Sequence, residues 1–211
     1  MSDGEKMVTK EESTNLYLPF AFSISDLRIN EACDLDSRIA DMALHLGKDP
    51  GEKKKISSVD WWALSTTLPR DIAWSLRFDS EHGCQVAVPL AIDAAKSVLS
   101  VFESVYPEKG GPRLAIQAAE AVWYAPSKHK LKLHAAAVTA ARGAAKYPLG
   151  ATATVTYAAS AAYFATMASA IKSPRIAYAA LTSASYALPS DEAKAMWDAV
   201  KKRICSLYCS F

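Results

Sequence analysis

Apolar residues along most of the chain recur at steps of three and four, the spacing of one helical face. Val88, Ala91, Ile92, Ala95, Val98, Leu99, Phe102 and Val105 give the clearest run. It predicts a helix beginning near Val86, with Pro89 tolerated in the first turn and Pro107 and Gly110-Gly111 beyond its end. Pro112 opens the next helix, striped by Ala115, Ile116, Ala119, Val122 and Trp123 and closed by Pro126. Further helices are predicted over residues 128–146 and 151–172. Ser173-Pro174 caps and opens another, which Pro189 stops. Ser190 caps the last, with Ala193, Trp197, Val200, Ile204 and Leu207 facing inward.

The first third of the chain is less regular. Ser23 or Ser25 is placed to cap a helix through Leu27, Ile39, Met42 and Leu46, which Gly47 ends. Ser57 or Ser58 starts a second, with Trp61, Trp62, Leu64 and Leu68, broken at Pro69. Pro69 suits the first turn of a short helix through Ile72, Ala73, Leu76 and Phe78. No segment reads as a convincing strand. The pattern therefore predicts an all-α fold, a multi-helix bundle of about eight or nine helices. Residues 1–16 are expected to be a disordered tail, and residues 17–211 one domain.

Alanine dominates the second half of the chain, and small side chains let helix axes approach toward the lower end of about 8–10 Å. The uncharged run from Tyr147 to Ile171 is long enough to span a bilayer. Its Ala, Thr and Ser content makes it a weak membrane segment and a good central helix of a tight bundle. Gly111-Pro112-Arg113-Leu114-Ala115 also echoes Ser173-Pro174-Arg175-Ile176-Ala177. Either a helical hairpin is duplicated or proline twice takes its favoured first helical position.

Composition narrows the functional classes. A net charge of +2 is too small to argue for nucleic acid. The first 16 residues lack the apolar stretch of a signal peptide. The four cysteines, Cys33, Cys84, Cys205 and Cys209, are scattered without a C-x-x-C, as free thiols in a reducing, cytoplasmic setting would be. His129 and His134 are five apart rather than the four of a helical two-histidine metal site, and His134 falls on an apolar stripe. No nucleophile elbow or phosphate-binding glycine loop occurs. Glu103 and Glu120 read as ordinary helix-surface carboxylates. The sequence thus predicts no catalytic residue, no metal ligand and no cofactor.

Recognition remains. Trp, Tyr and Arg are the usual hot-spot residues of interfaces. Trp61, Trp62, Trp74 and Trp123 are the candidate anchors. Trp61 and Trp62 are adjacent, so a helix packed on one side exposes at least one of them. Arg113 and Arg175 stand in first helical turns against the helix dipole, which calls for an acidic partner inside or outside the protein.

The segment carrying Ala95, Val98, Leu99, Phe102, Glu103 and Pro107 leads into Pro112-Arg113-Leu114-Ala115-Ile116-Gln117-Ala118-Ala119 and Trp123. It resembles a family of immunity proteins from bacterial polymorphic toxin systems, which carry A-x-x-V-L-x-x-F-E followed by P-R-x-A-I-x-A-A. His134-Ala135-Ala136-Ala137 and the later alanine-rich helices are similar in character. The resemblance covers roughly residues 90–190. It departs at Gly111 and Glu120, where basic residues are expected, and residues up to about Ser80 are not shared. The resemblance implies an all-α inhibitor that neutralises a toxin by binding it, without cofactor or turnover. A phage protein that blocks a bacterial defence effector fits the same architecture. The expected partner is a protein, with no nucleic acid and no membrane, and a second copy of the chain is a further candidate. The alternative is a protein that sequesters a nucleotide signal, with Arg113, Arg142 or Arg175 on phosphate and Trp or Tyr on the base.

Overall fold

The computed structural model describes residues 17–29, 35–47, 51, 54–64, 67–124, 136–137, 139–140, 142 and 152–208. The chain enters on a two-stranded antiparallel ribbon, β1 (Ala21–Ser23) and β2 (Lys55–Ser57), with Phe22 opposite Ile56. This ribbon corrects the expectation of no strand. Three-residue strands are too short to display an alternating pattern, and only Phe22 and Ile56 mark the buried side.

Helix α1 (Ile24–Ile29) starts on a reciprocal cap. Ser23 N–H donates to Asp26 Oδ2 at 2.7 Å, and Asp26 N–H donates to Ser23 Oγ at 3.2 Å. These bonds and the nearby Lys55 ammonium hold the Asp26 carboxyl below its ordinary range. Helix α2 (Leu35–Leu46) ends at Gly47, whose φ of 67° only glycine takes without strain.

Helix α3 (Ser58–Ala63) is capped by Ser57 and is shorter than its apolar pattern suggests, since Leu64 already turns out of the helix. Helix α4 (Pro69–Ser75) opens on proline, with Asp71 Oδ2 accepting from Leu68 N–H at 2.8 Å. It tightens into a 3-10 turn, Leu76–Phe78.

Helix α5 (Gly83–Ser97) begins three residues before the predicted start, so Pro89 lies inside it rather than in its first turn. The backbone breaks at Val98 and resumes as α6 (Leu99–Glu103), where one continuous helix was expected. Next come α7 (Gly111–Tyr124), α8 (Ala153–Ile171), α9 (Pro174–Ala187) and α10 (Ser190–Tyr208). Ala136, Ala137, Thr139, Ala140 and Arg142 are helical, as predicted for that stretch. The expected tail, Cys33, His129, His134 and Cys209 lie outside the described residues. The protein is an all-α bundle with a small β ribbon at its entrance.

The core has two textures. Phe22, Trp61, Trp62, Leu76 and Tyr208 form an aromatic end where the ribbon, α3, α4 and the last turn of α10 meet. Around α8 the core is alanine. Ala158, Ala161, Ala162, Ala165 and Ala168 are buried on several sides, against α5, α6, α7 and α9. Hydroxyls tie α8 to α7. Ser169 Oγ donates to Ala119 O at 2.7 Å, and Thr166 Oγ1 shares its proton between Ala115 O at 2.8 Å and Ala162 O of its own helix at 2.7 Å. Both donors are buried, so each bond also avoids an unsatisfied hydroxyl. Of the three described helices that open on Pro-Arg, α7 and α9 pack against α8 and α4 packs against α9 and α10.

The described part of the uncharged run is thus the bundle's central helix. A different stretch, Gly83–Glu103, is long and apolar enough to cross a membrane, with a mean hydropathy of 1.4. Half of that window is buried inside the protein, where Val88, Ala91, Ile92 and Ala95 meet the α8–α9 pair.

Helix α8 ends at Lys172 in the left-handed region, with φ 52° and ψ 60°. A residue with a Cβ is strained there by about 1 kcal/mol. Lys172→Gly is expected to raise stability by about 0.5–1 kcal/mol, read as a higher urea midpoint at unchanged slope.

Candidate functional site

The tryptophans divide sharply. Trp61 and Trp62 are both core residues, at 1% and 6% exposure, so neither belongs to a binding surface. The reasoning from adjacency fails because α3 is not packed on one side only. Trp61 meets Phe22 edge-on at 5.8 Å. Trp62 turns the other way onto Phe20 and Tyr208 and donates its Nε1–H to Ser75 Oγ at 2.9 Å.

Arg113 is exposed but committed. Its Nε and Nη2 donate to the two carboxylate oxygens of Glu103 at 2.8 and 2.7 Å, a bidentate fork. The acidic partner expected for this arginine is therefore inside the protein. Glu120 is likewise paired, with Lys96.

Trp123 is half-buried beside a cleft of about 630 Å³ that also takes in Cys84, Ser169 and Lys172. The Cys84 thiol donates to Lys172 O at 2.9 Å, and burial pushes its pKa up. It is the opposite of an activated thiolate. His82 stacks on Tyr17 at 4.4 Å rather than meeting a nucleophile. Among the described residues, no three His, Cys, Asp or Glu side chains cluster as metal ligands.

Trp74 and Arg175 lead to a different place. Arg70, Trp74 and Arg77 are spaced four and three apart along α4 and its 3-10 extension, so they share one side. Arg175, Tyr178, Thr182 and Ser185 do the same along α9. Ser190, Lys194 and Trp197 do so along α10. Packing of α4 against α9 and α10 brings the three sides together. Arg70, Tyr178, Tyr186, Lys194 and Trp197 line an open cleft of about 390 Å³.

Outside the cleft lining, on the other side of Tyr178, the Arg77 guanidinium lies 4.4 Å above the Trp74 ring and 6.0 Å from the Tyr178 ring. Its Nε donates to Trp74 O at 3.1 Å. Burial, and secondly repulsion from Arg175, pull the Arg77 pKa down to about 10. None of Arg70, Arg77, Arg175 and Lys194 forms an ion pair with a described carboxylate. Asp71, next to Arg70, is turned inward to cap α4.

No family model matches the chain, nor does any curated protein or solved structure. The functional reading therefore rests on the site's own chemistry.

Of the residues expected from sequence, Trp74 and Arg175 fall in or beside this cleft, while Trp61, Trp62, Arg113 and Trp123 do not. Arg142 is exposed on the helical stretch near residue 140. The sequence reading missed Arg70, Arg77, Tyr178 and Lys194. The spacing of Arg70, Trp74 and Arg77 was a usable signal, since it stacks two cations and an aromatic on one helical side.

Proposed function

We propose that the protein is a non-enzymatic inhibitor that binds and neutralises another protein, a toxin or a defence effector. What supports the reading is a half-buried arginine with no described carboxylate partner, Arg77, set against Arg175 and framed by Trp74 and Tyr178. Bringing like charges together in a partly desolvated place costs stability. A surface that tolerates this is organised for something that brings negative charge. Arg, Trp and Tyr are also the residues that carry most binding energy at protein interfaces. The resemblance over residues 90–190 points to the same class of activity. A cytoplasmic setting is part of the proposal.

The cleft also has room and chemistry for a nucleotide, with Arg70 and Lys194 for phosphate and Trp197 or Tyr178 for a base. Affinity capture of the tagged protein from its host, with mass spectrometry of retained proteins and small molecules, separates the two. Recovery of one protein in roughly equimolar amount is the expected result. A retained nucleotide without a protein partner would replace the inhibitor reading with sequestration of a signal.

A further inference from the structure

Resting on that reading, we infer that the partner lays an acidic segment across the surface formed by α4, α9 and α10, with one carboxylate on the cleft cations, another on the Arg77 and Arg175 group beyond Tyr178, and an aromatic side chain between them. The cations are arranged in two groups. Arg70 and Lys194 lie at the end where α9 gives way to α10, beside Tyr186. Arg77 and Arg175 lie at the end where α9 begins, beside Trp74. Seven residues separate Arg70 from Arg77, so the groups stand about 10 Å apart along the helix. Tyr178 reaches both. Its ring is 6.0 Å from Arg77, it lines the cleft with Arg70, and it meets Trp197 at 6.3 Å.

An extended chain rises about 3.3 Å per residue and turns every second side chain to one face, so carboxylates four positions apart with a ring midway share a face and span about 13 Å, a separation that long Arg and Lys side chains reach. The side chain between them lies over Tyr178 and Trp197, where a ring stacks well. Charge complementarity selects this occupant. The four cations have no described counter-ion, and the exposed acids of α10, Asp191, Glu192 and Asp198, form no ion pair with them. A basic or purely apolar partner would leave the half-buried Arg77 without compensation.

The test titrates the full chain with a random copolymer of glutamate and tyrosine, following tryptophan fluorescence, with ATP as the competing probe. The wild-type protein is expected to bind the copolymer, more weakly as salt rises. The double reversal Arg175→Glu with Lys194→Glu is expected to weaken it at least about ten-fold. Both positions are exposed, so the variant's fold is checked by its circular dichroism and melting. The charge-preserving pair Arg175→Lys with Lys194→Arg is expected to retain binding. No copolymer binding, equal binding by the reversed variant, or cleft-dependent binding of ATP alone each overturns the inference. Host capture that returns the same stoichiometric protein with the wild type and the reversed variant would leave the inhibitor reading standing and remove this docking site.

Discussion

Gly83→Ala is expected to destabilise the protein by about 3 kcal/mol, at the upper end of what overpacking costs. A Cβ at Gly83 would clash with Leu76 O and stand 3.3 Å from the Asp79 side chain. The first contact is with backbone, so no rotamer change relieves it. Either the first turn of α5 or the 3-10 turn at Leu76–Phe78 must move. The sign makes the test sharp. In a helix free of such contact, the same substitution stabilises by about 1 kcal/mol. A urea midpoint lower than wild type is the expected reading, and an unchanged or higher midpoint would show that α5 does not approach Leu76 this closely.

Asp79→Ala is expected to cost as much, about 3–4 kcal/mol, because a nearly buried carboxylate there holds three donors. Oδ1 accepts from Glu81 N–H at 3.0 Å and His82 N–H at 2.8 Å, fixing the turn into α5. Oδ2 accepts from the Tyr208 hydroxyl at 2.6 Å, which pins the end of α10 to that turn. Removing the carboxylate leaves the buried Tyr208 hydroxyl without its acceptor and frees the two part-buried amides of the turn. The Tyr208 pKa is raised well above its ordinary value, first by burial and then by Asp79. The folded protein therefore keeps a proton that the unfolded chain releases. Stability from this pair is fully present below about pH 10, the ordinary tyrosine value, and is lost as pH rises above it. Absorbance titration is expected to show the Tyr208 phenolate appearing only with alkaline unfolding. Tyr208→Phe should move that unfolding. Ionisation of Tyr208 in the folded state would contradict the buried pair.

The sequence disclosed the bundle far better than the site. Ser173-Pro174 marked the start of α9, and Gly47 the end of α2, because cap and turn residues act locally. The uncharged alanines of α8 marked the helix with neighbours on several sides. Where local signals were weak the boundaries slipped. His82-Gly83 resembles a loop, yet α5 starts there because the Asp79 carboxylate holds the backbone of the turn. The ribbon was illegible because it owes its existence to a pairing across more than thirty residues. Trp61 and Trp62 were misjudged because burial on two sides of a short helix depends on α10 returning at the far end of the chain. The cleft was half legible for the same reason. Trp74 and Arg175 stood out by type and position, but only the packing of α4 against α9 shows that Arg77 comes near Arg175.

The most direct measurement is paired affinity capture from the native host, using wild-type protein and the Arg175→Glu, Lys194→Glu variant at equal loading. The account predicts one roughly equimolar protein with the wild type, carrying an acidic surface segment, and its loss from the variant. Capture of no protein by the wild type, with only a small molecule retained, would contradict it.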